Sequence, residues 1–178
     1  MLSLLIGVGA SAAQIKRGDI ANAVFGDDAT FKAFMSAREV TAQRLHHRGG
    51  DADWFALSGY TRNDAVPVPA ARATQLRKLF GDSKSYTWSH IPDEHGVSSQ
   101  KACLPDYGVL LTFRGGGAPV RVALCFECDM FAVFVGDSAK PRRVNTEEDS
   151  DLIRSALVEI VRSLFPHDAD IQALQSKT

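Results

Sequence analysis

Val109-Leu-Leu-Thr-Phe-Arg-Gly-Gly-Gly-Ala-Pro-Val-Arg-Val-Ala-Leu-Cys-Phe-Glu-Cys-Asp-Met-Phe-Ala-Val-Phe-Val135 decides the fold. Val109 to Phe113 reads as a strand, Arg114 to Ala118 as a glycine-rich turn, and Val120 to Phe126 as the returning strand; Phe131 to Val135 adds a third. If Arg114 faces Pro119 across the turn, Tyr107 and Gly108 lie opposite Cys125 and Phe126, and Pro105 lies opposite Cys128. Cys103, the remaining cysteine of the chain, then falls just beyond the first strand, near the second thiol of the pair. In a flat strand Cys125 and Cys128 point to opposite faces, so a shared partner requires a bend around Phe126-Glu127.

Around this hairpin the pattern is α+β. Asp27-Asp28 caps a short helix with Phe31, Phe34 and Met35 on one face. Arg38 to Leu45 alternates as an exposed strand, with continuation of the preceding helix to His47 as the alternative; Arg48 to Asp51 is a turn, Trp54 to Leu57 a short apolar strand, and Gly59 to Asp64 a second turn. Val66 to Pro69 is extended. Ala70 to Phe80 is helical, with Leu76, Leu79 and Phe80 facing inward and Gly81-Asp82 as the stop. Ser83 to Ala102 is the least structured stretch and holds His90 and His95. A helix runs from about Glu147 to Phe165, capped by Asn145 or Thr146 and ended by Pro166. Its apolar stripe is Leu152, Ile153, Ala156, Leu157, Ile160, Val161 and Leu164. The expected fold is an antiparallel sheet carrying the CxxC hairpin, packed against helices near 70–80 and 147–165.

The length of 178 residues suits one domain with its own core. Residues 14–168 form that domain, 169–178 a frayed tail, and 1–13 a candidate signal segment. That segment has a short apolar core and then Ala10-Ser11-Ala12, the small-x-small pattern of a cleavage site, which predicts removal near Ala12-Ala13 and a periplasmic or secreted product. A buried N-terminal strand or helix in a cytoplasmic protein is the alternative. The net charge of −1 argues against nucleic-acid or anionic-membrane binding, which require clustered positive surface. Lys140-Pro141-Arg142-Arg143 is the longest basic cluster and reads as solvated loop charge. No apolar run reaches the roughly 20 residues of a membrane helix.

The three thiols admit four readings. Cys103, Cys125 and Cys128, with His95 or His90 as a fourth ligand, compose a Cys3His zinc set. A structural disulfide from Cys103 to Cys125 or Cys128 would instead close the mouth of the hairpin, as an oxidising compartment favours. A redox-active Cys125/Cys128 pair, the thiol-oxidoreductase reading, normally needs a helix N-terminus to lower the thiol pKa. Buried cysteines acting as small hydrophobes are the fourth.

Other chemistry is thin. His46-His47 are adjacent in a strand and read as surface residues. Asp93-Glu94-His95 reads as loop polarity, and Ser89-His90 has no orienting acid. Gly115 to Gly117 joins two strands and is a hairpin turn, not a phosphate cradle. Trp54, Trp88, Tyr60 and Tyr86 read as core or rim aromatics.

Cys103-Leu-Pro-Asp-Tyr-Gly108, followed by Leu124-Cys-Phe-Glu-Cys128 and Leu164-Phe-Pro166, resembles an uncharacterised family of small exported bacterial proteins and lipoproteins. In that family a Cys-x-Pro-x-x-Gly segment opens a strand and Leu-Cys-Phe-x-Cys lies in the next. The resemblance spans about residues 70 to 166 and implies an exported cysteine-clustered domain, with no reaction attached. No lipobox cysteine stands near the start. The expected function is non-enzymatic binding of an unknown protein partner, with toxin neutralisation by an immunity-type protein as one form of it.

Overall fold

A computed structural model describes residues 19–86, 104–145 and 147–176. The expected signal segment, His90, His95 and Cys103 lie outside the described residues.

Helix α1 (Ile20–Ala23) and helix α2 (Asp28–Met35) precede strand β1 (Glu39–His47). A 3-10 turn at Leu57–Gly59 leads into β2 (Tyr60–Arg62), β3 (Val66–Pro67) and helix α3 (Ala70–Gly81). Strands β4 (Val109–Arg114), β5 (Val120–Cys125), β6 (Met130–Val135) and β7 (Arg143–Asn145) follow, then helices α4 (Glu147–Leu164) and α5 (Ala169–Ala173). The sheet is antiparallel, in the order β2-β1-β4-β5-β6-β7, and β3 pairs with the first half of β1. The fold is therefore the expected α+β arrangement, built on an antiparallel sheet.

The register of the central hairpin follows from its turn. Val109 faces Leu124 and Phe113 faces Val120, and the Gly108 N–H donates to the Leu124 carbonyl at 2.9 Å. β4, β5 and β6 are buried along almost their whole length. Both faces of the sheet are covered, so these strands read as continuous apolar runs rather than as apolar-polar alternation.

One face meets helices. Val109, Leu111, Phe113, Val122, Phe131 and Val133 pack with residues of α2, α3 and α4 in the main core. Phe34 is its hinge pin, with ring centroids 4.6 Å from Phe25, 4.5 Å from Phe113 and 6.2 Å from Phe80. α2 starts where expected because the Asp27 carboxylate accepts the Thr30 N–H at 2.7 Å, satisfying one otherwise orphaned donor.

The opposite face carries a smaller cluster of Leu110, Ala123, Cys125, Ala132 and Phe134, covered by Leu57 of the 3-10 turn, Tyr60 at the start of β2 and Tyr107 of the segment before β4. Its cover is chain, not helix. The Leu57 N–H reaches the Ala139 carbonyl at 2.9 Å, bridging the segment before β2 to the one after β6.

Several expectations change. Trp54 to Leu57 is not a strand but a turn running into the 3-10 segment, and the turn expected over 59–64 holds β2. Apolar residues put 54–57 under the sheet without placing them in it; Gly59 shows why. A Cβ there would lie 2.1 Å from the Asp53 carbonyl oxygen, so the chain folds back on itself at contact distance. The CxxC lies in the turn joining β5 to β6 rather than in a strand interior: β5 ends at Cys125, which faces Met130. The tail after Asp168 is not frayed over 169–173. Asp168 caps α5, and Ile171 is buried. In α4, Leu152 is 61% exposed and leaves the expected stripe, while Val158 and the aliphatic length of Arg154 join the buried side. Asn145, an expected cap of α4, belongs to β7. No described helix is long and apolar enough to cross a membrane.

Candidate functional site: the cysteine turn and its cleft

The chain bends at the point where two thiols facing one side require it. After Cys125 it turns through Phe126, Glu127 and Cys128 and returns at Asp129, whose φ of 51° lies in the left-handed region. Aspartate tolerates that region better than most residues. The bend brings Cys125 and Cys128 into the same apolar cluster, at 2% and 1% exposure. The Cys128 N–H donates to the Cys125 Sγ at 3.4 Å.

The two sulfurs are in different states. Cys125 is free, whereas Cys128 is disulfide-bonded. The Cys128 Sγ lies 3.5 Å from the Leu104 carbonyl oxygen. Burial pushes the Cys125 thiol above the ordinary cysteine range, and backbone N–H groups of Cys128, Asp106 and Glu127 offset only part of that. A protonated, enclosed thiol is a poor nucleophile.

A buried guanidinium holds the turn from behind. Arg154, on α4, donates to the Asp129 carboxylate and to the Phe126 carbonyl, and its guanidinium carbon lies 5.9 Å from the Phe126 ring centroid. Its Nε reaches the Gln175 carbonyl at 3.3 Å, so one side chain joins the cysteine turn, α4 and the C-terminal segment.

Tyr60 fastens the other side. Its hydroxyl lies 2.7 Å from the Pro105 carbonyl and 2.9 Å from the Trp54 carbonyl, and it accepts the Tyr107 N–H at 3.3 Å. The segment at Trp54 and the segment through Pro105 and Tyr107 thus converge on one phenol. Burial holds both Tyr60 and Tyr107 above the ordinary tyrosine range.

Beside this turn opens a cleft of about 660 Å³ at one end of the sheet. Its floor includes Arg44, whose Nε donates to Asp168 at 2.6 Å and whose Nη1 donates to the Gly108 carbonyl. The Arg44 side chain is only 8% exposed, and its Nη2 lies 3.8 Å from Asp170. One wall is Trp54, stacked on His47 with centroids 3.4 Å apart and planes 9° from parallel. The His47 Nδ1 accepts the Gly49 N–H at 3.0 Å, and its Nε2 lies 3.2 Å from the Ala52 carbonyl oxygen. Phe126 and Glu127 of the cysteine turn form another wall, and Ile171 and Leu174 a third.

Of the zinc ligands expected from the sequence, Cys125 and Cys128 come together, while Cys103 and His95 lie outside the described residues. A disulfide sulfur is not a thiolate ligand, so a Cys3His set would first require the Cys128 bond to be reduced. Among the described residues no group of three or more His, Cys, Asp or Glu side chains is placed to hold a metal. His46 is exposed as expected, but His47 is half-buried against Trp54. Arg142, from the basic cluster, is paired with Asp27.

Sequence reasoning passed over Arg44, Arg154, Asp129 and the Trp54–His47 stack. Two of these left a trace. Arg44 keeps the alternation of Val40 and Ala42, and Arg154 stands three and four residues before Leu157 and Val158; each is a cation in a core-facing position. No family model matches the chain, and no curated protein or solved structure matches it either.

Proposed function

We propose that this chain is an exported bacterial binding domain for a protein partner, in which the cysteine cluster is structural and the thiols carry no reaction. The observation supporting this reading is the state of the described pair. Cys128 is already bonded, and Cys125 is enclosed with its pKa raised. A thiol oxidoreductase needs an accessible sulfur of lowered pKa, the opposite arrangement.

Cys103 is the partner of Cys128 in this proposal. The chain has three cysteines and Cys125 is free, which leaves Cys103. Its neighbour Leu104 has its carbonyl 3.5 Å from the Cys128 sulfur. A bond between Cys103 and Cys128 suits the oxidising compartment implied by residues 1–13. The binding face is the cleft beside the turn, whose volume lies within the range of about 300–1,000 Å³ typical of ligand sites. An immunity-type role against a secreted toxin is one binding role of this kind.

Alkylation under denaturing, non-reducing conditions, read by intact mass together with metal analysis, tests the cysteine part. One modified thiol, mapped to Cys125, and no stoichiometric zinc are expected. Three modified thiols with about one zinc per chain would replace this reading with the Cys3His site. For the binding part, a photo-crosslinking residue at Ala173, exposed on the cleft, should give one discrete adduct in the envelope fraction of the native host. The same residue at exposed Lys78 should give none. Equal labelling from both positions would remove the cleft as the binding face.

A further inference from the structure

We infer that the cleft beside the cysteine turn receives a basic side chain, arginine or lysine, presented by the protein partner; this rests on the binding role proposed above. The charges around the opening set the sign. Asp106, Glu127 and Asp170 line the cleft and are exposed. Among the described residues, neither Asp106 nor Glu127 forms a salt bridge, and Asp170 touches only the far edge of the Arg44 guanidinium at 3.8 Å.

Arg44 does not reverse that sign. It is buried, its charge is met by Asp168 at 2.6 Å, and a second nitrogen is committed to the Gly108 carbonyl. An incoming anion would have to displace Asp168 from Arg44 and pass three carboxylates to do so. A cation meets those carboxylates directly.

The walls suit the rest of such a side chain. Leu174, half-buried at the cleft, offers apolar surface for a methylene stem. Trp54, half-buried and braced flat against His47, offers an aromatic platform for the charged head. The brace matters, because a ring held in place loses little freedom when a ligand arrives. Aromatic and acidic groups together distinguish a cation subsite from a merely solvated acidic rim.

The test is an NMR titration of the full chain with the capped tripeptide acetyl-Gly-Arg-Gly-amide, read at the Trp54 indole N–H. Substituting Trp88→Phe assigns that resonance, since the chain has two tryptophans. A saturable shift that weakens with added salt is expected. Asp106→Asn with Glu127→Gln, both exposed and therefore expected to leave the melting temperature unchanged, should weaken binding together by about threefold to tenfold. Unchanged binding in that double variant would overturn the inference. A shift produced by acetyl-Gly-Glu-Gly-amide and not by the arginine peptide would also overturn it, while leaving the cleft as a binding face. No shift with either peptide overturns it too, and the Ala173 crosslink then decides whether the binding role itself stands.

Discussion

The two faces of the sheet are covered by different means. On one side, α2, α3 and α4 bury a broad layer of Val, Leu, Ile and Phe side chains. On the other, irregular chain covers a smaller layer and is fastened at a few points: Tyr60, the Cys128 disulfide and the Arg154 clamp. Helical cover satisfies its own backbone, so burial alone can hold it. Irregular cover brings unpaired carbonyls and N–H groups into an apolar layer, and each needs a specific partner. The cleft opens where the second kind of cover ends.

That contrast can be broken from the helical side with the largest effect. Phe34→Ala should cost about 3–5 kcal/mol, the usual range for emptying a fully buried phenylalanine site. Denaturant melts should show one cooperative transition moved to a much lower midpoint. A loss below about 1 kcal/mol would mean that the helix face is not the principal core.

Arg154→Met tests the clamp between the faces. It takes the Arg154 guanidinium away from the buried Asp129 carboxylate, and breaking a buried ion pair typically costs about 3–5 kcal/mol. Converting both residues, Arg154→Met with Asp129→Asn, should recover part of that loss, because asparagine also tolerates a left-handed backbone and carries no charge. Equal loss in the single and double variants would show that the charge pair is not the source.

Tyr60→Phe sharpens the comparison at a single atom. It removes the hydroxyl shared by Pro105, Trp54 and Tyr107 while keeping the ring. The expected cost is about 1–3 kcal/mol, the penalty of leaving buried polar groups unsatisfied. Amide exchange should quicken across 52–62 and 104–108, with α3 and α4 unchanged. Uniform quickening would contradict local fastening.

The smallest effect is electrostatic and appears in acid. Hydrogen bonds from Thr30 hold the Asp27 carboxyl below its usual range, with Arg142 adding to them. Burial raises Asp168, but the Ile171 N–H and Arg44 outweigh it, and its pKa is lowered as well. Carboxyls depressed on folding stabilise the protein above the unfolded value of about 3.9, and that contribution is lost as pH falls through the folded value. Asp27→Asn and Asp168→Asn should therefore flatten the decline in stability below about pH 4 and change little of its slope near neutrality. A decline of unchanged steepness would locate the acid sensitivity elsewhere.

How much of this was legible in the sequence differs between the two faces in the same way. The strands at 109–135, the helices near 70–80 and 147–165 and the β4–β5 register follow from periodicity and one glycine turn, because those elements are set by local backbone bonding and burial. Trp54 to Leu57 reads as a strand and Gly59 to Asp64 as a turn, and the structure differs at both. Their apolar content comes from covering the sheet, and nothing in a period of two or 3.6 distinguishes a covering loop from a strand. α5 was missed because its five residues show little pattern of their own; Asp168 and its bond to Arg44, 124 residues away in the chain, hold it in place. For the cysteine site, the sequence placed the residues and left their bonding open. The cleft was not legible, since its walls come from five separate segments.

Hydrogen exchange read by mass spectrometry, with and without reductant, most directly tests whether specific fastenings hold the irregular face. Reduction should speed exchange in 104–108, in the 125–130 turn and in 52–59, while β4, α3 and α4 keep their protection. Protection unchanged in all three irregular segments, or lost equally across α3 and α4, would contradict the account.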